Sequence, residues 1–121
     1  MKYYYSITAL AALLTFSSPA HATGGLACKT AGDEPIIVSL GFGHVPSAGL
    51  FLAQLVDGRE EIAVTASQWW LSGSELRLAL VSPDAITEEL VLIANWNEAS
   101  HTYDGSVWRA GRKRWVRCRE A

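Results

Sequence analysis

The chain has 121 residues, of which half are apolar and 18% charged, and its formal net charge is −2. These proportions exclude intrinsic disorder and a coiled coil, and the length allows one domain whose core is marginal without a covalent staple. An acidic chain without a basic surplus is also a poor match for nucleic acid, so no nucleic-acid partner is expected.

Residues 1–22 read as a signal peptide, leaving a single domain over 23–121 that is periplasmic or secreted. Lys2 stands beside the free amine, an apolar run extends from Ile7 to Phe16, and Ala20-His21-Ala22 after Pro19 gives the small-x-small cleavage pattern. The apolar run is about half the roughly 20 residues that cross a bilayer, so no stable membrane anchor is expected. Gly25-Leu26-Ala27-Cys28 is a poor lipid-attachment box, because Gly25 stands where a large aliphatic residue is needed and Pro19 to Gly24 part the cysteine from the apolar run. Cys28 and Cys118 are the only thiols, and an oxidising compartment offers them one intramolecular pairing. Closing a loop of about 90 residues is worth roughly 4 kcal/mol in the chain-entropy model. Two thiols so far apart lack the paired spacing of zinc sites, and neither a metal nor a cofactor is expected.

From Pro35 onward, short apolar runs alternate with turn residues at the spacing of a meander, sandwich or barrel. Ile36, Val38, Leu40 and Phe42 share one face. Ala48 to Val56 forms the next run, Asp57-Gly58 is the strongest hairpin signal, and Ile62, Val64 and Ala66 return, so 48–66 reads as one hairpin. Adjacent Trp69 and Trp70 point to opposite faces if extended, which leaves one outside the core or at a barrel mouth. There an indole either covers the barrel end or serves as a platform for a sugar, a lipid or a partner protein. Glu75 to Val81 alternates with Leu76, Leu78 and Leu80 inward. Ser82-Pro83-Asp84 would start a helix well, but Leu90-Val91-Leu92-Ile93 is β-rich, and the pattern favours a turn at 83–86 followed by a strand over 87–95. Strands around 101–108 and 113–119 meet across Gly111. The expected fold is all-β: one small antiparallel barrel or strongly curved sheet of seven or eight strands, closed by the Cys28–Cys118 disulfide. Its core draws on Ile36, Val38, Leu40, Leu50, Leu52, Val64, Leu76, Leu78, Leu80, Leu90 and Leu92.

Charge is unevenly placed. Residues 30–108 hold Arg59 and Arg77 against eleven carboxylates, whereas 109–119 hold six cations and no anion. One reading pairs these cations across the sheet with groups such as Glu60, Glu61, Glu88 or Glu89. The other is a basic, aromatic patch able to hold phosphate, carboxylate or glycan. Alternation sets Lys113, Trp115, Arg117 and Arg119 on one face, and Arg112, Arg114, Val116 and Cys118 on the other, with Cys118 inward.

Catalytic signals are thin. Gly41-Phe42-Gly43-His44 has Pro46 at the third glycine position of a phosphate loop and no helix after it. A base and its orienting partner could be built from His101 and Asp104 with Ser100 or Ser106, but chance proximity in a Ser-rich loop explains them better. The expectation is a domain that is not an enzyme.

Ser100-His101-Thr102-Tyr103-Asp104-Gly105 and Trp108-Arg109-Ala110-Gly111, framed by one cysteine in the first strand and one in the last, resemble the two motifs of the periplasmic inhibitors of C-type lysozyme. Those motifs are S-G-x-x-Y followed closely by glycine, then an aromatic residue and W-x-K-G. Here His101 replaces the first glycine, the serine-to-tyrosine spacing is one shorter, and Ala110 stands in the lysine position. The resemblance implies a small eight-stranded barrel that binds a basic cell-wall hydrolase, with Ser100, His101, Tyr103, Trp108 and Arg109 as the partner surface. On that reading Tyr103 and Arg109 are exposed and dispensable for stability. The alternative is a binder of a small molecule, envelope glycan or lipid through barrel-mouth tryptophans and the basic last strand. A barrel interior filled by leucines favours the first, and a large apolar cavity the second.

Overall fold

The alternating pattern is realised as antiparallel strands, with no helix among the described residues. The computed structural model describes residues 24–43 and 49–121; the expected signal peptide and His44 lie outside them. Nine strands follow in chain order: β1 (Gly24–Thr30), β2 (Ile36–Phe42), β3 (Leu50–Asp57), β4 (Glu60–Ile62), β5 (Thr65–Leu71), β6 (Glu75–Val81), β7 (Glu88–Asn97), β8 (Thr102–Arg109) and β9 (Arg112–Glu120). They form one sheet in the order β4-β3-β2-β1-β9-β8-β7-β6-β5, curled into a half-barrel.

The count exceeds the expected seven or eight because the run 62–66 is broken. The chain leaves the edge strand β4 at Ile62 and begins the opposite edge of the sheet, β5, at Thr65, with Ala63 and Val64 as the connection. One uninterrupted strand cannot serve both edges of an open sheet. The seam therefore falls between β4 and β5, where no ladder forms. Cys28 stands directly opposite Cys118 and the two are bonded, but they join β1 to β9, which are hydrogen-bonded neighbours in the middle of the sheet. The disulfide closes the circuit of the chain and leaves the seam open.

Leu26, Val38, Leu40, Leu55, Leu76, Leu78, Leu80, Leu90, Leu92, Val107 and Val116 fill the concave side, each nearly or completely buried. Burial of each such side chain is worth about 1.5–3 kcal/mol. Leu50 and Val64 are only partly buried against this core. Leu52 does not belong to it, being 46% exposed. The cause is a bulge: Gly41 faces Leu52 but Phe42 faces Leu50, so the slip at Phe51 reverses the inward parity of β3, and Leu55 and Ala53 point inward with Leu50.

Local chemistry explains the turns. Asp57 pairs with Glu60 around Gly58-Arg59, where Gly58 takes a left-handed φ of 67°. Ala110 and Gly111 both have positive φ, 52° and 76°, as a two-residue primed turn demands. Ser82-Pro83-Asp84 caps a tight turn in place of a helix. The Thr87 amide donates to Ser82 Oγ (3.0 Å) and the Ile86 amide to Asp84 Oδ1 (3.1 Å). The hydrogen bond from the Ser82 hydroxyl holds the Asp84 carboxyl below its usual range.

Candidate functional site

Strand β8 runs the length of the curled sheet and decides what each end contains. Val107 is fully buried, so Tyr103, Gly105 and Arg109 share its inward parity, while Asp104, Ser106 and Trp108 face outward. Tyr103 and Arg109 are six residues apart, about 20 Å along a strand, and stand at opposite ends of the interior. The segment 100–111 is therefore divided between the two ends and the two faces of the sheet. Ser100, His101 and Tyr103 belong to one end, Arg109 to the other, and Trp108 to the convex face.

At the Tyr103 end the core stops short of the rim and leaves a cleft of about 340 Å³, lined by Gly24, Phe42, Leu71, Trp96, His101 and Tyr103 among others. Trp96 is the hinge of the aromatic cluster, meeting Tyr103 edge-on at 5.1 Å and His101 edge-on at 5.8 Å. Across the cleft Phe42 stacks on Trp69 at 5.6 Å. The Tyr103 hydroxyl donates to the Ser72 carbonyl at 2.6 Å, tying β8 to the β5–β6 turn, and burial raises the phenol pKa. Gly24 must lack a side chain, because a Cβ there would run into the Phe42 ring.

The loop over this cleft is held from below. Arg117 donates from Nε (2.8 Å) and Nη2 (2.9 Å) to the two oxygens of Asp104, which also accepts from Asn97 Nδ2 (2.8 Å) and Thr102 Oγ1 (2.8 Å). These bonds, that from Arg117 foremost, keep the Asp104 carboxyl far below the ordinary carboxylate range despite partial burial. Asn97 Oδ1 in turn accepts from the Ala99 and Ser100 amides, and the Ser100 and Thr102 hydroxyls are bonded at 2.6 Å. The loop so fixed presents His101, in a left-handed conformation at φ 58°, beside Glu98, with His101 Nε2 3.8 Å from the carboxylate. Trp96 Nε1 donates to the same Glu98 at 3.0 Å.

The opposite end is closed by charge. Arg109 points inward with its side chain 14% exposed, donating from Nε to Asp57 (2.8 Å) and from Nη1 to the Glu89 carboxylate (2.8 Å) and carbonyl (3.1 Å). Burial works against its charge, but the two carboxylates outweigh it and raise the guanidinium pKa further. Arg109 is thus a structural clamp between β3, β7 and β8, and the expectation that it is an exposed partner residue is corrected. Tyr103 is half-buried, tying β8 to the β5–β6 turn through its hydroxyl while it lines the cleft.

The basic patch of the last strand does assemble on the convex face. Lys113 Nζ sits 5.6 Å over the Trp108 ring, and Arg117 Cζ sits 5.2 Å from the centre of Trp115. Some of the cations are paired within the protein and others are not. Arg109 and Arg117 find carboxylates, and Arg114 donates to the Ala31 and Glu34 carbonyls. For Lys113 and Arg119 no anionic partner is present among the described residues.

No catalytic constellation forms from His101, Asp104 and the serines. Asp104 is turned to Arg117, Ser100 to Thr102, and Ser106 lies opposite Trp115 on the convex face. Among the described residues no group of three or more His, Cys, Asp or Glu could hold a metal ion. Sequence reasoning missed Trp96, Glu98 and the holding role of Asn97. An Asn ahead of a short polar loop is a recognisable turn signal that would have marked the last of these. No protein-family model matches this chain, and neither a curated protein nor a solved structure matches it.

Proposed function

We propose that the chain is an exported, non-enzymatic binding module that engages a partner protein through the β7–β8 loop and the aromatic cleft beneath it, with a basic cell-wall hydrolase as the first partner class to test. The observation that carries this reading is the Asp104 network, which fixes the loop bearing Glu98 and His101 above a cleft lined by aromatic rings. A pre-ordered loop loses little freedom on docking, and partly exposed aromatic side chains are common anchors of protein interfaces. The concave side packed with leucine supports the same reading. The acidic body, eleven carboxylates against two arginines over 30–108, would steer a basic enzyme toward it. The resemblance to the lysozyme inhibitors points the same way.

The test is inhibition of a C-type lysozyme and capture of hydrolases from periplasm by the disulfide-bonded mature protein. The expected result is inhibition that the double variant Glu98→Ala/His101→Ala weakens at least about tenfold with the melting temperature held, as hot-spot truncations do. Inhibition unchanged in that variant would remove the loop from the interface. A small-molecule or glycan binder using the same cleft remains the second reading, because about 340 Å³ falls within the range of ligand pockets. Saturable binding of a small ligand without any hydrolase inhibition would favour it.

A further inference from the structure

The convex face over β1 and β9 carries another groove, on the opposite side of the sheet from the aromatic cleft, of about 370 Å³ and lined by Lys29, Trp115, Arg117, Arg119 and residues 30–32. We infer that this groove binds a short acidic saccharide, with a sugar face against Trp115 and the anionic group between Lys29 and Arg119.

The register supplies the first argument. Lys29 stands directly opposite Arg117, and Ala27 opposite Arg119, so three cations share one face of the ladder on alternate rungs, either side of the Cys28–Cys118 pair. Like charges facing each other across a sheet are destabilising unless something compensates them. Arg117 is already committed to Asp104 on its other flank. For Lys29 and Arg119 no carboxylate partner is present among the described residues, and Glu120 lines the aromatic cleft on the opposite side of the sheet. The groove thus keeps two uncompensated cations in a chain whose net charge is negative.

Trp115 supplies the second argument. It is 53% exposed, and Arg117 holds its ring at 5.2 Å, so a large apolar surface is fixed in the middle of the charges. An indole flanked by cations suits a ligand that offers C–H faces and anionic groups together, which a carboxylated, sulfated or phosphorylated sugar does. A bilayer is a poorer match: Trp115 is the one exposed large apolar residue among those lining the groove, and Phe51, Leu52 and Ile86 lie elsewhere. A long uniform polyanion would meet the acidic remainder of the body beyond the stripe and be repelled there.

Titration of the disulfide-bonded mature protein with a tetramer of galacturonic acid, followed calorimetrically and by the indole N–H resonances, tests this. The expected result is saturable binding that shifts the Trp115 resonance, weakens with salt, and is absent with a neutral glucose tetramer. Lys29→Gln/Arg119→Gln should raise Kd at least about tenfold, the loss of two charge-assisted contacts. Should that variant fail to fold, the Trp115 shift in the unaltered protein still decides the matter. Equal binding of the neutral tetramer, no shift at Trp115, or binding confined to anionic vesicles or to duplex DNA would each overturn the inference.

Discussion

The two ends of the curled sheet are finished by opposite chemistry, although one strand, β8, supplies a key residue to each. At one end Arg109 is clamped by Asp57 and Glu89, and the charges satisfy one another within the protein. At the other, Tyr103 uses its hydroxyl on Ser72, while Trp96, His101 and Phe42 leave ring surface facing a cleft. An ionic plug is complete in itself and offers little to a partner. An aromatic rim satisfies its few polar atoms and still keeps apolar surface for something else to cover.

The largest effect should come from the staple that both ends share. Cys28→Ser with Cys118→Ser is expected to cost about 2–5 kcal/mol in urea unfolding. Because the bond lies mid-sheet, hydrogen exchange should quicken at both ends; quickening at one end only would break the comparison. Arg109→Met comes next. It leaves two carboxylates without their cation and should cost about 2–4 kcal/mol while partner binding is unchanged. A loss of binding without a loss of stability would mean that the ionic end is the functional one.

Asp104→Asn should cost about 1–3 kcal/mol at neutral pH, through loss of the charged bonds from Arg117. Its pH dependence is distinctive. The folded carboxyl pKa is depressed, so its contribution is complete above the unfolded value of about 4 and is lost as pH falls toward the folded value. The stability difference between the unaltered chain and Asp104→Asn should therefore shrink as pH drops from about 5 to 2. A constant difference over that interval would show that the carboxylate charge is not what holds the loop. Smallest is Tyr103→Phe, which removes one hydrogen bond to Ser72 and should cost about 0.5–1.5 kcal/mol. If it costs more than Arg109→Met, the aromatic end, not the ionic one, carries the stability.

The strands were legible because burial on one face leaves a period of two, as in Leu76, Leu78 and Leu80, and the disulfide because only two cysteines exist. Leu52 was misplaced because a bulge reverses parity without leaving a mark in the composition. The two ends were not legible at all. Tyr103 and Arg109 sit in two motifs only a few residues apart, and their separation along an inward-facing row appears only once β8 is known to span the whole interior. The partners of Arg109 are remote in sequence, Asp57 by 52 residues and Glu89 by 20; Glu89 is among the four carboxylates expected to pair with these cations, but nothing in a linear pattern selects Asp57. The basic, aromatic face was visible because alternation along β9 sorts it without reference to any other strand.

The placement of the seam between β4 and β5 bears on how the chain reaches this fold. Seven of the eight ladders join strands consecutive in sequence and can form as local hairpins; the eighth, β1 with β9, joins strands some 90 residues apart. That ladder holds the two halves of the sheet together, so it cannot form until the last strand is available, and loop closure over the whole domain sets its entropy cost. A circular permutant that begins at Val64, links Ala121 to Gly24 and ends at Ala63 would have its strands in the same order in sequence and in space. Its mean contact separation would be far lower, and it should fold faster than the natural order at similar stability.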